Sequence, residues 1–395
     1  MVTNLFYPLT GGSENVVFET SRRLARRGHT VRVLTEQTRP QWPLYEEVDG
    51  IHIHRCRVRF GNGPIRFGSG VINAARLFKH LIAHVPVDVV HFHLTLPALG
   101  VLLCRESRPL AKVATFHGPW DEEERAEKSA TRGVALSHVK AWLFGLLQRR
   151  VLQSSQRVIV LSQFSRQAVM RFVRATGVVE VIPGGADVER FQPAVCRQQV
   201  KARLRLPVDE PVLLTVRRLV PRMGIEALVG ALPAMLSHGR RVTLVIGGDG
   251  PLRPLLERQA ADLGVGERVR FAGFIPDDEL PSYYQAADVF VMPTRTLEGF
   301  GLSTVEALAC GTPVIGTAVG ATAEILNTLD RRLLIPESSP AAIARTALAC
   351  LDSDLVEPAF RARCRAYVED RYTWDRAVDA LERVYDAATQ EHRVH

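Results

Sequence analysis

The sequence predicts an α/β protein of two doubly wound domains, and three observations carry that expectation. At 395 residues the chain is longer than a single hydrophobic core ordinarily grows. Short β-branched runs alternate with helical patterns in both halves, the arrangement of parallel sheets covered by crossover helices. A Pro-Gly-Gly turn within "VIPGGADVERFQP", residues 181–193, interrupts the alternation midway.

The elements follow in order. "MVTNLFYP" supplies only the end of a first strand ahead of the Gly11–Gly12 turn; either that strand is short or the start of the chain lies upstream. "SENVVFETSRRLARRG" (13–28) reads as a helix with Ser13 as its N-cap and Gly28 as its stop. Val16, Val17, Leu24 and Ala25 recur near helical spacing with Arg22, Arg23, Arg26 and Arg27 largely opposite, so one face is expected to pack and the other to be solvated. "HTVRVLT" (29–35), "VDVVHFH" (87–93), "AKVATFHG" (111–118) and "QRVIVLS" (156–162) read as strands. "CRQQVKARLRLPVDEP" (196–211) then carries the chain across. "PVLLTV" (211–216), "RVTLVIGG" (241–248), "VRFAGF" (269–274), "DVFVMPT" (288–294) and "TPVIGT" (312–317) read as buried parallel strands. The domains are therefore expected at 1–195 and 196–371, and "YTWDRAVDALERVYDAA" (372–388) is amphipathic.

Composition narrows the function classes. The chain is 46% hydrophobic and 23% charged, as in ordinary soluble proteins. No apolar run approaches the roughly 18 residues of a transmembrane helix, and no signal-peptide pattern opens the chain, so a cytoplasmic protein is expected. Cys56, Cys104, Cys196, Cys310, Cys350 and Cys364 form no CxxC pair, which argues for buried free thiols over zinc or disulfides. The net charge of +8 is uneven, with +11 on residues 1–200 and −3 on the rest. That excess suits an anionic lipid or acceptor, or simply solvated helix faces, and Arg22, Arg23, Arg26 and Arg27 favour peripheral association with a membrane surface. Nucleic acid is not expected, since no basic stripe is interleaved with aromatics.

Candidate chemistry gathers where strands end. In "EGFGLSTVEALACGTPV" (298–314), Gly299 and Gly301 allow close backbone approach, and the amides of Leu302, Ser303 and Thr304 open a helix whose positive end suits a phosphate. Glu306 has two level readings: "STVE" is a capping box with Ser303 at N-cap, or the carboxylate meets a ligand. Glu298 lies too far upstream to cap and suits sugar hydroxyls. "RRLVPRMG" sets Arg217, Arg218 and Arg222 at the end of another strand, where guanidinium groups suit a diphosphate. "IGGDGP" (246–251) alone is weak, being common chain punctuation. Gly11, Gly12 and His117 mark strand ends of the first half.

These residues together resemble the retaining glycosyltransferases of family four, over nearly the whole chain. The resemblance rests on the Gly11–Gly12 turn, "LARRGHTVRVLT", "IPGGAD", "RRLVPRMG", "GGDGP", "FAGF" and the E-x7-E pattern of Glu298 and Glu306 with Gly299, Phe300 and Gly301 between them. It implies the GT-B fold, two doubly wound Rossmann-like domains facing a central cleft. The terminal helix, about 372–395, would join the first, acceptor-binding domain, while the second would bind a nucleotide-sugar donor. It further implies that Glu306 holds the ribose, Glu298 the donor sugar, and the Leu302 and Ser303 amides with Arg218 the diphosphate. Gly11–Gly12 would close over the phosphates, the segment around Phe274 receive the base, and His117 reach the sugar. The family's usual lysine is Met223 here, and the adjacent Arg222 is expected to supply that charge.

The resulting expectation is a retaining hexosyltransferase, working without a metal or other cofactor, in glycan, polysaccharide, glycolipid or natural-product biosynthesis. The acceptor is not legible, and the loop "GPWDEEERAEKSATRG" (118–133) is undecoded. The lone DxD, "DSD" at 352–354, reads as a cap or loop. The alternatives are an epimerase or phosphorylase of the same fold, or a nucleotide-sugar-binding protein with weakened catalysis, for which Met223 is the supporting feature.

Overall fold

A computed structural model of the chain describes residues 1–9, 11–59, 64–93, 95–119, 122, 134–173 and 178–394. It holds two α/β units. The first runs to Gly184 and takes in Trp374–His395; the second is Gly185–Thr373. The boundary falls ahead of the 195 read from the sequence, because the segment after Gly184 packs with the second unit. Phe191 meets Tyr284 edge-on at 5.8 Å between ring centroids, and Ala186 bridges Thr373.

In the first unit the strands are β1 (Val31–Gln37), β2 (Tyr45–Val48), β3 (Ile51–Arg57), β4 (Val89–Phe92), β5 (Ala111–Phe116), β6 (Arg157–Val160) and β7 (Val179–Val181). They run in the orders β2-β3-β1 and β4-β5-β6-β7, and Val2 bridges both Leu34 and Phe92, joining the two sets. The Val2 amide donates to the His91 carbonyl at 2.8 Å and the Thr3 amide to the Leu34 carbonyl at 3.0 Å. The opening segment thus lies centrally, between the two sets. Apart from the antiparallel β2–β3 pair, the named pairings are parallel. The β2–β3 hairpin had no counterpart in the sequence reading: in β3, buried Ile51 and Ile53 alternate with His52 and His54, the period-two pattern of a half-buried strand and not a continuous β-branched run.

The helix read at 13–28 spans Gly12–Arg26, and its N-cap is Gly11 in extended conformation, so Ser13 is not the cap. Its arginines correct a second expectation. Arg23 is buried and pairs with Glu19 and Asp375; Arg22 pairs with Glu19 at 2.8 Å. Arg27 reaches Asp379 and Glu382, each at 2.7 Å, on the terminal helix Trp374–Val394. Arg22, Arg23 and Arg27 therefore have acidic partners within the unit, while Arg26 and Arg27 are the exposed members of the face. The terminal helix buries Trp374, Ala377, Val378, Leu381, Val384 and Ala388.

The second unit carries β8 (Val212–Val216), β9 (Thr243–Gly247), β10 (Val269–Gly273), β11 (Val289–Met292), β12 (Val314–Thr317) and β13 (Leu334–Ile335). The sheet is parallel and ordered β10-β9-β8-β11-β12-β13. The chain winds from β8 to one side and then returns to β11 on the other, which makes the β8/β11 seam the topological switch point. Asp288, at the start of β11, accepts from Arg197 at 2.7 Å, Lys201 at 2.8 Å and the Val212 amide at 2.8 Å, tying the helix Arg197–Arg203 to the sheet.

Five of the six cysteines are buried and Cys196 is half-buried; all are free. In the "DSD" segment the Ser353 hydroxyl accepts from the Leu355 amide at 3.3 Å, while Asp354 pairs with Arg332 at 2.6 Å, so it caps a short 3-10 turn. Among the described residues no helix is long and apolar enough to cross a membrane.

Candidate active site

The switch point of the second unit brings two loops together. Arg217 follows β8 and Glu298 lies in the loop after β11. The Arg217 guanidinium donates to Glu298 Oε2 and to Thr294 Oγ1, and the Thr294 hydroxyl donates to the same Oε2 at 3.2 Å. Only 5% of the Arg217 side chain and 10% of the Glu298 side chain are exposed. Arg217 is therefore not a phosphate ligand on a solvated loop, as its neighbours led us to expect; its charge is matched internally. Arg218, the next residue, is exposed.

Arg222 braces the opposing loop. Its Nη1 donates to the Leu297 carbonyl at 3.1 Å, and its own carbonyl accepts the Arg295 amide at 2.9 Å. Leu297 sits in the left-handed region at φ 60°, so this brace fixes the backbone that delivers Glu298. Met223 is buried beside it.

The helix Leu302–Ala309 starts two residues earlier than the capping box requires. Gly301 is its N-cap, at φ 78°, a conformation open to glycine at little cost, and no side chain caps this end. Ser303 lies inside the first turn and its hydroxyl donates to Met292 Sδ at 3.5 Å. The Glu306 Oε2 accepts from the Tyr284 hydroxyl at 2.9 Å. Burial, and then the Glu306 carboxylate, push the Tyr284 phenol well above its ordinary range, so it stays a donor. The capping-box reading of Glu306 fails on this geometry. Gly299, Gly301, Leu302 and Ser303 are half-buried and reachable, but Phe300 is only 5% exposed and packs on Tyr372 at 5.9 Å, so it offers no aromatic face.

The weak "GGDGP" motif acquires a physical role. The Gly248 amide donates to the Gly273 carbonyl at 2.6 Å, and the Leu219 amide donates to the Asp249 carbonyl at 3.0 Å. A Cβ on Gly248 would overlap the Arg217 carbonyl, so this turn lets three neighbouring strand ends touch through their backbones. Directly after Gly273, Phe274 is 68% exposed, an aromatic face left to solvent at the edge of the same row of strand ends.

The first unit holds the remaining candidates. Gly12 opens the first helix, and the Glu14 carboxylate lies over Gly11, accepting the Ser13 hydroxyl at 3.1 Å. His117 follows β5, and its Nε2 lies 3.3 Å from Nδ1 of His93, which follows β4. His91 stacks on His93 at 4.0 Å between centroids, with its own Nδ1 2.7 Å from the Tyr385 hydroxyl and its Nε2 2.8 Å from Thr115 Oγ1. Burial pushes His117 down to about 4 and both other imidazoles well below their ordinary range. His91 and His93 escaped sequence reasoning; the available signal was "HFH", whose alternate residues share one face of the strand. The loop 118–133 lies mostly outside the described residues. Among those residues, no cluster of three or more His, Cys, Asp or Glu side chains could hold a metal ion.

Comparison with known proteins supplies the family. Residues 10–190 match the model described as Glycosyltransferase Family 4, and residues 197–384 match Glycosyl transferases group 1. The chain is 31% identical over 340 residues to a GDP-mannose-dependent alpha-(1-6)-phosphatidylinositol monomannoside mannosyltransferase of Mycolicibacterium smegmatis, covering 83% of this chain and 82% of the relative. It is also 31% identical to D-inositol 3-phosphate glycosyltransferase 1 of Catenulispora acidiphila, across 96% of this chain and 91% of that one. Among solved structures, sucrose-phosphate synthase from Thermosynechococcus elongatus superposes with a TM-score of 0.82 at 26% identity, covering 96% and 94% of the two chains. The parallel sheets with their strand-end loops thus have the GT-B fold, and the chain belongs to glycosyltransferase family 4.

Proposed function

We propose that the protein transfers a hexose from a nucleoside diphosphate sugar to an acceptor hydroxyl with retention of anomeric configuration. The observation that carries this is the β8/β11 switch point, where an exposed arginine, an uncapped helix N-terminus and an oriented carboxylate share one unit. Open amides and a permanent cation favour a diphosphate, and a fixed carboxylate favours sugar hydroxyls. In this reading Phe274 carries the base, Glu306 the ribose, and Leu302, Ser303, Arg218 and Arg222 the diphosphate.

Catalysis then consists of stabilising the departing diphosphate with charge already in place. Arg218 and the helix end supply that charge in the absence of a metal, and chelation with EDTA is expected to leave turnover unchanged. The leaving phosphate takes the acceptor proton, and His117, neutral, hydrogen-bonds the sugar beside the reacting carbon. Cytoplasmic location belongs to the same proposal. The names of the relatives point the donor and acceptor choice toward GDP-mannose and an inositol phosphate, free or lipid-linked.

The test is incubation with GDP-mannose or UDP-glucose and inositol phosphate or phosphatidylinositol, with mass spectrometry of the product and NMR of its anomeric proton. A glycosylated acceptor of donor configuration is expected; an inverted product overturns retention. Met223 favours a second reading, a protein that binds nucleotide sugar without transfer, and tight donor binding with no released nucleoside diphosphate would establish that one instead.

A further inference from the structure

We propose that Arg217 is a positioning residue that clamps one oxygen of Glu298, leaving the other to meet the donor sugar. The role rests on the reading of Glu298 as the sugar contact. Arg217 and Thr294 converge on Oε2, so that oxygen accepts two hydrogen bonds, one of them from a buried cation. Oε1 faces elsewhere: a Cβ placed on Gly301, the N-cap of the helix Leu302–Ala309, would lie 3.5 Å from it.

Both ends of the clamp are anchored by backbone. The Arg217 amide donates to the Gly247 carbonyl at 3.0 Å, and the Arg217 carbonyl is held against Gly248 with no room for a side chain between. On the other loop the Glu298 carbonyl accepts the Ala321 amide at 3.0 Å. Rotating the carboxylate would break charge-assisted bonds in a largely enclosed site, so Oε1 is pre-aimed.

Arg217 also answers an electrostatic problem. A carboxylate this enclosed would repel a diphosphate seated at the adjoining helix end, and a buried cation on its far oxygen offsets that repulsion while leaving the near oxygen able to accept. The sequence shows two adjacent arginines; in the structure Arg218 is exposed, while Arg217 is enclosed against Glu298.

The experiment compares the wild type with Arg217→Met, Arg217→Lys, Thr294→Val, Glu298→Gln and the double variant Arg217→Met with Glu298→Gln. The probes are GDP-mannose with GDP, and UDP-glucose with UDP, in transfer assays and titration calorimetry; thermal denaturation checks folding. Arg217→Met is expected to lower kcat/KM for the accepted sugar nucleotide about 100-fold while the bare diphosphate binds within about 2-fold of wild type. Arg217→Lys restores part of the loss, and Thr294→Val, which keeps shape and removes one bond to Oε2, gives a smaller loss of the same pattern, about 5-fold. In the Glu298→Gln background, Arg217→Met adds less than about 3-fold, because it acts through Glu298.

Parallel loss of diphosphate and sugar-nucleotide binding overturns the positioning role, as does a double variant whose losses multiply. An unimpaired Glu298→Gln instead overturns the reading of Glu298 as the sugar contact. Turnover of neither sugar nucleotide overturns the proposed function itself.

Discussion

The strand-end clusters of the two units are built from opposite electrostatics. In the first, the rings of His91, His93 and His117 lie tilted against one another, His91 and His93 buried and His117 half-buried, and each is held in its neutral form. In the second, the cluster is made of arginines and a carboxylate, Arg217, Arg218, Arg222 and Glu298, and burial is tolerated because the enclosed Arg217 guanidinium faces the enclosed Glu298 carboxylate. One cluster offers neutral donors and acceptors; the other offers fixed charge. A reaction whose leaving group is a diphosphate needs the second kind at the phosphate and the first kind at a sugar, where an imidazolium would oppose positive charge developing on the ring carbon.

The largest expected effect separates the two kinds directly. Removing the exposed cation in Arg218→Ala should lower kcat/KM about 100- to 1,000-fold and weaken bare nucleoside diphosphate binding as well, whereas His117→Gln should lower kcat/KM with that binding unchanged. Steady-state kinetics beside calorimetry with GDP or UDP reads both. Equal losses of diphosphate affinity in the two variants would erase the division of labour.

A second, smaller effect is a slope of stability with pH. The folded state holds His117 at about 4 against an ordinary value of 6.5, so between these values the unfolded chain binds the proton that the folded chain refuses. The contribution is present in full above about pH 6.5, declines as the pH falls toward 4, and is flat below. His91 and His93 shift in the same direction. Melting temperatures across pH 4 to 7 should show the decline, and His117→Gln should make it shallower; an unchanged slope in the variant would mean that another group titrates.

The smallest effect concerns the arginines that imitate the active ones in sequence. Arg27→Ala removes half-exposed ion pairs to Asp379 and Glu382, and should cost about 1 kcal/mol or less, shrinking further in high salt. Sedimentation with anionic vesicles should be the same for Arg27→Ala and wild type, since that charge is already matched within the unit. A drop in sedimentation would return the first helix to a membrane role.

How far the sequence is legible depends on whether a partner is local. The strands of the second unit stood out because β8, β9, β11 and β12 are buried on both faces, which demands unbroken runs of β-branched and apolar residues. The Ile51–Arg57 strand, alternating with histidines, and the two-residue Leu334–Ile335 lacked that signal. Ser303 looked like a cap because the pattern "STVE" is complete, yet Gly301 reaches the left-handed conformation and begins the helix first. The candidate residues were readable as types at strand ends. Their pairings were not: Glu298 meets Arg217 across 81 positions, and Arg27 meets Asp379 across 352. No local rule reports which of two adjacent arginines will turn inward.

The backbone contacts around Gly248 bear on how the proposed donor site would respond to a ligand. Because Gly248 holds both Gly273 and Arg217, the aromatic platform at Phe274 and the arginine turn at 217–222 ride on a single stiff frame. A nucleoside settling on one edge of that frame also sets the lie of the other. Recognition of the base and grip on the phosphates should then be inherited together, so that exchanging one nucleotide for another means refitting the whole frame and not a single contact.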